Sequence, residues 1–305
     1  MIPFLVHRSL LGLLTLFVVV SLTFFMVRVM PGGPFDRERK LPPDIEKNLL
    51  KKYKLEGPLW QQYRDYVWDV ARGDLRLSTK YRNRSVNEIM AQTLPVSLGL
   101  GAAAFLIALG IGITLGSIAA VRHRTWMDQT SMVLAVLSIS IPNFVIAPLV
   151  VLLFALHWRV FPSAGWGLPE HVVLPALCLA LPYAAYIARL TRNSMLDVLT
   201  QDYIRTARAK GLDEARVIFK HALKVAILPV VSFSGPLAAF LLTGSLVIEE
   251  IFKVPGVGAF FVNSVLNRDY FLMGGVVILY SGLLILFNMI VDILYTFLDR
   301  RIKLT

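Results

Sequence analysis

Long apolar runs constrain this chain more than any other feature of its sequence. Six of them extend over residues 10–30, 95–121, 131–156, 172–190, 228–252 and 273–298. A run of about 18 or more apolar residues is long enough to cross a bilayer as an α-helix. Because a helix satisfies its own backbone hydrogen bonds in hydrocarbon, these runs predict an all-α polytopic membrane protein with six transmembrane helices.

Composition agrees with a membrane protein and narrows the chemistry. Of the 305 residues, 56% are hydrophobic and 17% are charged, against about 25% charged residues in an average soluble domain. The single cysteine, Cys178, lies in an apolar run, which excludes a disulfide framework and a cysteine-based metal site. A net charge of +11 would suggest nucleic acid as the partner of a soluble chain. Here the basic residues cluster in particular loops, so we expect no nucleic acid partner.

The first apolar run is expected to remain as a transmembrane helix. The alternative is a secretory signal peptide, which ends in a small-residue cleavage site. No such site follows this run, and Met30-Pro31-Gly32-Gly33 stands there instead.

Basic residues are distributed unevenly between the two sides of the predicted membrane. The short loops of one side contain only Arg159, Lys253 and Arg268. By the positive-inside rule we expect both termini in the cytoplasm of a multi-pass protein of the cell (inner) membrane. The thirteen basic residues of the opposite side are Arg8, Arg122, Arg124, Arg192, Arg205, Arg208, Lys210, Arg216, Lys220, Lys224, Arg300, Arg301 and Lys303.

The polar stretch between the first two runs has a helical pattern of its own. Pro43 and Pro58 are each followed by apolar residues at helical spacing, and the second pattern stops at Gly73; these are ordinary signals of helix beginnings and ends. We therefore expect residues 31–94 to form an extracytoplasmic helical loop. Two interpretations stay open, a solvated cap that shields the spans and a docking surface for an external partner.

The apolar runs carry residues that favour close packing and bending. Ala104, Ala108, Gly112 and Gly116 are four residues apart, which places small residues on one helix face and lets another helix approach closely. Prolines inside the third, fourth and fifth runs each remove a backbone hydrogen bond and predict kinks. These prolines are Pro142, Pro148, Pro175, Pro182 and Pro236. Kinked, closely packed helices suit a transport pathway, but static bundles contain them too.

Other functional classes have less support in the sequence. There is no Gly-x-x-x-x-Gly-Lys phosphate loop, no His-Glu-x-x-His and no Gly-x-Ser-x-Gly, so we predict no enzyme and no catalytic, cofactor-binding or metal-binding residues. A secondary transporter or channel would need charges for ion coupling in the middle of its spans. The apolar runs hold almost none.

The most informative charged segment lies between the fourth and fifth runs. Its helix-forming first part is followed by Gly211, which fits a position with positive φ, and by Asp213, which fits a helix N-cap. We predict two short helices that meet at Gly211. The segment reads Asp202-Tyr203-Ile204-Arg205-Thr206-Ala207-Arg208-Ala209-Lys210-Gly211, and Ile227-Leu228-Pro229 follows downstream.

The pattern of this segment suggests a contact with another protein. Ile204, Ala207 and Leu212 lie on a different helix face from the charged residues, and such an apolar face suits the groove of a partner. Upstream, Ser194 and Asp197 match a capping box or an ordinary position inside a helix.

The segment resembles the cytoplasmic loop of ABC importer permeases. The family pattern is Glu-Ala-Ala, three residues, Gly, and a downstream Ile-x-Leu-Pro; here Arg205-Thr206-Ala207 and Gly211 stand in the first part. Two departures from this pattern are the arginine in place of glutamate and the longer distance to the proline. In both, the sequence resembles the oligopeptide, dipeptide and nickel branch of the family. The likeness continues in segments 28–35, 41–43, 52–53, 73–75, 244–249, 255–258, 266–270 and 292–295.

Within that branch, Leu41-Pro42-Pro43 favours the oligopeptide permeases. Two positions depart from the usual sequence of this branch. Gly33 stands where aspartate is frequent, and Arg76 stands where a glycine often follows Gly-Asp-Leu.

The resemblance implies a type I ABC importer permease fold and half of a translocation pathway for oligopeptides, with a dipeptide or nickel permease as the alternative. The implied partners are a homologous second permease subunit, two ATPase subunits, an extracytoplasmic peptide-binding protein, the peptide substrate and the lipid bilayer. ATP and Mg²⁺ would be bound by the ATPase subunits, and this chain would bind no cofactor.

The resulting organisation has three parts: an N-terminal tail with transmembrane helix 1 at residues 1–30, the helical loop at 31–94, and a permease core at 95–305. A coupling segment at about 194–226 lies within the core. The residues expected to couple to an ATPase subunit are Asp202, Ile204, Arg205, Thr206, Ala207, Arg208, Lys210, Gly211 and Leu212. The residues expected to line the pathway or a vestibule are Glu249, Glu250, Asn267, Arg268 and Asp269.

Overall fold

The computed structural model describes residues 2–29, 35 and 42–298, and helices dominate that part of the chain. It contains no named β-strand there, only an isolated antiparallel bridge between Leu77 and Ser85. The helices are α1 (Ile2–Val29), α2 (Pro43–Lys52), α3 (Leu59–Ala71), α4 (Val86–Val121), α5 (Trp126–Ser140), α6 (Asn143–Val150), α7 (Pro169–Leu199), α8 (Asp202–Ala209), α9 (Glu214–Arg216), α10 (Leu223–Ala226), α11 (Leu228–Leu242), α12 (Leu246–Ile251), α13 (Val257–Leu266) and α14 (Tyr270–Leu298). Two π-helical segments, Val151–His157 and Val217–Ala222, continue α6 and connect α9 to α10.

The predicted membrane spans are confirmed, with one of them broken. Among the described residues, five stretches are long and apolar enough to cross a membrane. A sixth span arises if the bent pair Trp126–Ser140 and Asn143–His157 is one crossing. The five continuous stretches are Val6–Val29, Val86–Val121, Pro169–Leu199, Leu228–Ile251 and Tyr270–Ile293.

The break in the third span follows from its proline. The two helices of the pair meet at an angle of 107°. Ile141, at the end of α5, has extended backbone angles (φ −92°, ψ 120°), as expected for a residue that precedes a proline. Pro142 then stands at the N-cap of α6 with φ −61°. The predicted kink is therefore a sharp turn, whereas Pro175 and Pro182 lie inside the uninterrupted α7.

One compact unit comprises residues 1–97 and 255–286. Its core joins the loop helices to α1 and to the beginning of α14 through Phe24, Tyr53, Tyr66, Ile89 and Phe271. The ring centroids of Phe24 and Tyr66 are 5.4 Å apart. The predicted loop helices are thus confirmed as α2 and α3. Leu49, Tyr63, Tyr66, Val67 and Val70 belong to this core or pack against it, whereas Ile45 and Leu59 are exposed.

The second unit comprises, among the described residues, 98–254 and 287–298. In it, α4 approaches α7 closely along the predicted row of small residues. A Cβ atom on Gly112 would lie 2.7 Å from Cβ of Ile187, and one on Gly116 would lie 2.7 Å from Cβ of Thr191. Ala104 and Ala108 are fully buried. The small residues are therefore required for this helix contact.

Several helices end in a basic residue with left-handed backbone angles. After α12, Lys253 has φ +52°; its N–H donates to the carbonyl of Glu250 (3.3 Å), and the N–H of Val254 donates to that of Glu249 (2.8 Å). This pair of bonds is a Schellman motif, in which glycine is the usual residue. Positive φ also occurs at Lys54, Arg124, Arg159 and Arg268.

Candidate coupling surface

Helix α8 is short, charged and well delimited. It extends over Asp202–Ala209 and begins after Gln201, whose backbone is extended (φ −70°, ψ 150°). Asp202 in its first turn and Arg208 in its last turn match the positive and negative ends of the helix dipole. The hydroxyl of Thr206 donates to the carbonyl of Asp202 at 2.9 Å.

Gly211 ends this helix in the way the sequence predicts. Its φ is +73°. The N–H of Gly211 donates to the carbonyl of Arg208 (2.9 Å), and the N–H of Leu212 donates to that of Ala207 (3.4 Å). These two bonds form a Schellman motif with Gly211 at C′. A Cβ atom on Gly211 would meet nothing within 4 Å, so backbone conformation, not space, favours glycine.

The second helix of the segment is confirmed as well. The carboxylate of Asp213 accepts the N–H of Ala215 at 3.1 Å, as an N-cap does. Helical structure then continues from α9 through the π-helical segment Val217–Ala222 into α10. Ser194 and Asp197 lie inside α7, so they form no capping box.

The apolar face of α8 is covered by the chain itself. Ile204 is 0% exposed and Ala207 is 6% exposed. Both pack in a cluster with Met195, Val217 and Ala222, and the partly buried Leu212 packs against it. The interpretation that Ile204, Ala207 and Leu212 lie in a partner's groove is therefore wrong for this face, because those residues hold α8 onto α7 and the second helix.

The exposed face of α8 consists mainly of charged and polar residues. Guanidinium Nη2 of Arg208 lies 2.7 Å from Oε1 of Glu214, which links α8 to α9 across the turn. Hydrogen bonding to Arg208 lowers the pKa of Glu214 below its usual value. We define the coupling surface as the exposed residues Asp202, Tyr203, Arg205, Thr206, Arg208, Lys210 and Glu214.

An ion pair between α5 and α7 was not predictable from the sequence. Asp128, near the start of α5, is buried. Arg192 of α7 donates to both of its carboxylate oxygens, from Nε to Oδ1 and from Nη2 to Oδ2 at 2.8 Å. The N–H of Arg124 also donates to Oδ2, at 3.0 Å. The pair fixes the loop after α4 to the helix that leads into the coupling surface.

Asp269 is a structural residue and not an exposed pathway residue. It is fully buried. Its carboxylate accepts the hydroxyl proton of Ser78, the N–H of Thr79 at 3.1 Å and the N–H of Lys80 at 3.4 Å. It also accepts the N–H of Leu272 at 3.2 Å, which caps α14. We call this set of bonds the Asp269 anchor. The prediction of a vestibule position for Asp269 is wrong because its side chain is fully buried.

The other predicted pathway residues are distributed between surface and interior. Glu249 is fully buried, so the expectation that it faces water is wrong. Glu250 is exposed and forms an ion pair with Lys253. Asn267 is exposed, and its amide donates to the carbonyl of Asn263 at 2.8 Å. Arg268 follows the end of α13 with φ +56°. Each of the last three has a local structural role, and a role in a pathway stays a prediction for them.

The known proteins that are similar to this chain are components of membrane transport systems. The model of a family described as binding-protein-dependent transport system inner membrane component matches residues 112–304. The oligopeptide transport system permease protein OppB of Salmonella typhimurium is 47% identical over 305 residues, which cover 99% of this chain and 100% of that protein. The dipeptide transport system permease protein DppB of Bacillus subtilis is 47% identical over 290 residues, 95% of this chain and 94% of that protein.

A solved structure shares the fold. A chain of the MetNI methionine ABC transporter, from a study of its inward-facing conformations, is similar with a TM-score of 0.57. The match covers 70% of this chain and 97% of that chain at 18% sequence identity. It supports the type I ABC importer permease fold.

Proposed function

The chain belongs to the family of binding-protein-dependent transport system inner membrane components, and from that premise we propose that it is the transmembrane permease subunit of an ATP-driven importer of oligopeptides. The observation that carries this proposal is the 47% identity to an oligopeptide permease over 99% of the chain. In this proposal a homologous second permease subunit supplies the other half of the translocation pathway.

Energy enters through the coupling surface. Its charged residues point away from the chain's core while Ile204 and Ala207 hold α8 in place, so a rigid, charged helix is available to a soluble partner. Two ATPase subunits bind ATP and Mg²⁺, and this chain itself catalyses no reaction. Binding of ATP shifts the population between inward-facing and outward-facing states, and α8 passes that shift to α7.

Both termini lie in the cytoplasm, and the protein resides in the inner membrane. The loop at 31–94 then lies outside, where an extracytoplasmic peptide-binding protein delivers substrate. The excess of basic residues in the loops around α8 supports this orientation.

A dipeptide importer is the second candidate, because a dipeptide permease is also 47% identical to this chain. Uptake of labelled peptides of two to six residues by the reconstituted transporter distinguishes the two. An oligopeptide importer accumulates tetrapeptides and longer peptides, and unlabelled dipeptide competes weakly. Accumulation of dipeptides alone would contradict the oligopeptide proposal.

The coupling surface is tested by cysteine crosslinking. The sole native cysteine, Cys178, is buried, so an introduced cysteine is the reactive one. Cysteine at Arg205 or Thr206 should crosslink to a co-purified ATPase subunit. Cysteine at the buried Ala207 is the matched control and should not react. Failure of both exposed positions with every cysteine placed in the ATPase groove would reject this docking site.

A further inference from the structure

A cleft lies between helices α1 and α3. The proposed peptide import assigns no role to it. Its volume is about 610 Å³, and its walls are formed by Phe17, Tyr63, Arg64, Asp65, Val67 and Trp68. This volume lies in the range of about 300–1,000 Å³ that is typical of small-molecule sites. Phe17 belongs to the span Val6–Val29, so one wall of the cleft is a membrane-spanning helix.

The cleft lies towards the loop side of the bilayer. The hydroxyl oxygens of Tyr63 in α3 and Ser21 in α1 are 2.6 Å apart. At a rise of 1.5 Å per residue, Ser21 is about 12 Å from Val29, the last residue of α1. The 28 residues of α1 have a length of about 42 Å, which exceeds the roughly 30 Å of the hydrocarbon core. Ser21 therefore lies in the half of α1 that is nearer the loop, and α3 packs along that half.

The side chains of α3 are of the kind found where hydrocarbon and headgroups meet. Trp60 and Trp68 are 64% and 59% exposed, and tryptophan is enriched where apolar and polar regions of a membrane meet. The guanidinium carbon of Arg64 lies 5.5 Å from the Trp60 ring centre, and that of Arg72 lies 4.6 Å from the Trp68 ring centre. Arginine side chains of this kind keep their charge in the polar layer while their stems cover apolar surface.

We propose that this cleft binds a phospholipid from the leaflet on the loop side. One acyl chain lies between Phe17 and Val67, and the phosphate lies at Arg64. The ion pair of Arg64 with Asp65, 2.8 Å long, presents both signs of charge at the rim. It complements a zwitterionic headgroup, with the phosphate at the guanidinium and the ammonium at the carboxylate.

Access favours a lipid over other occupants. Because Phe17 is half-exposed on a transmembrane helix, a lipid reaches the cleft by lateral diffusion within the bilayer. The bound lipid extends the contact between loop and span that Tyr63 makes with Ser21 and with the Phe25 ring at 5.3 Å. It therefore stabilises the position of α3 on α1 in a membrane and not in detergent.

The experiment uses the complete transporter in vesicles of phosphatidylethanolamine and phosphatidylglycerol. A trace of phosphatidylethanolamine carries a photoactivatable diazirine on one acyl chain, and mass spectrometry locates the label after irradiation. We expect label on α3 between Tyr63 and Trp68 in addition to label on α1. Absence of label from α3 in the unmodified transporter would overturn the proposal.

Two substitutions on α3 make the test specific. Val67→Glu places a carboxylate in the apolar wall and should reduce labelling of α3 roughly tenfold, equivalent to about 1.4 kcal/mol. Gln61→Glu, on the same helix but outside the cleft, should leave it unchanged. Peptide uptake is measured for both variants in the same vesicles, so that lost labelling with retained uptake reports the cleft and not misfolding. Equal labelling of the two variants would reject the apolar wall as the lipid site.

Two further experiments test the position of the phosphate at Arg64 and whether a protein helix fills the cleft instead of a lipid. Arg64→Gln should abolish the preference for labelled phosphatidylethanolamine over a diacylglycerol with the same labelled chain. An unchanged preference would reject the phosphate position. Efficient crosslinking from a cysteine at Val67 to the second permease subunit would show that a protein helix fills the cleft, and would overturn the lipid assignment.

Discussion

The Asp269 anchor and the coupling surface use charged residues in opposite ways. At the anchor, a fully buried carboxylate accepts bonds from Ser78, Thr79 and Leu272 of its own chain. At the coupling surface, Ile204 and Ala207 are buried and the charged residues are exposed, with Arg208 paired to Glu214 and Arg205 paired to Asp202. Removal of a buried acceptor is costly because its buried donors are left unsatisfied, whereas exposed pairs contribute little to stability. The fold therefore depends little on the exposed charges of the coupling surface.

The largest expected effect lies at the anchor. Asp269→Ala leaves the buried donors of Ser78, Thr79 and Leu272 without their acceptor and should reduce the free energy of unfolding by about 4 kcal/mol. Thermal unfolding of the reconstituted protein measures this. Asp44→Ala, at an exposed position of α2, is the control and should change little. Equal stability of the two variants would remove the contrast between the regions.

Arg76 tests the same region at a strained position. Its φ is +66°, a conformation that glycine adopts with less strain than other residues. Its Nε pairs with Asp69 at 2.8 Å, and its guanidinium lies 5.3 Å from the Phe271 ring centre. Because Asp69 keeps its bond to Lys54, Arg76→Ala should lower the free energy of unfolding by about 2 kcal/mol. Arg76→Gly should recover about 1 kcal/mol of that loss, because glycine tolerates positive φ; identical melting of both variants would contradict it.

Gly211 tests the coupling surface. Gly211→Val introduces roughly 1–2 kcal/mol of backbone strain at φ +73°. Membrane insertion should be normal, but ATP hydrolysis stimulated by peptide and peptide uptake should both decrease because α8 is re-aimed. Gly211→Asn is the matched control and should be milder, since asparagine tolerates this conformation. Unchanged uptake by the valine variant at normal expression would assign Gly211 a loop role only.

The smallest expected effect concerns the exposed pair. Glu214→Gln should change the free energy of unfolding by about 0.5 kcal/mol or less, and added salt should diminish even that difference. Uptake should nevertheless decrease if Glu214 contacts the ATPase. A large loss of thermal stability would show that the coupling surface is structural, like the anchor.

Acidification should reduce the stability that Asp69 contributes to the unit containing the Asp269 anchor. Burial acts to raise the pKa of Asp69, but hydrogen bonds from Lys54 and Arg76 outweigh it and lower the pKa below the usual 3.8. A carboxyl whose pKa is lower in the folded state stabilises fully above its unfolded pKa and loses that contribution as pH falls through the folded one. Stability should thus be independent of this group from pH 7 to about 5 and decrease below about 4. Asp69→Asn should flatten the decrease in a series of thermal melts.

Local features of this molecule were predictable from the sequence. The spans follow from uninterrupted hydrophobicity, and the turn at Gly211 and the cap at Asp213 follow from signals only a few residues long. Even the break at Ile141 follows from the neighbouring Pro142, although its angle of 107° depends on packing. These elements are set by the conformational preferences of neighbouring residues.

Long-range partners were not predictable in the same way. Arg192 and Asp128 are 64 residues apart, and Ser78 and Asp269 are 191 apart, so no spacing rule connects them. Helical periodicity identified the apolar face with Ile204 and Ala207, but periodicity does not say whether the chain or a partner covers a face. That distinction depends on tertiary packing, which here buries Ile204 and Ala207 within the chain.

The basic residues with left-handed backbone angles change how the loop charges are interpreted. Arg159, Lys253 and Arg268 are the basic residues of the sparsely charged short loops, and all three have positive φ. Each follows the end of a helix, where a cation interacts favourably with the helix dipole. The interaction with the helix dipole therefore explains why these three residues are basic, so they are not evidence against the orientation that the other loops predict. Glycine at these positions would remove the strain of positive φ. It would also increase the difference in the number of basic residues between the two sides of the membrane.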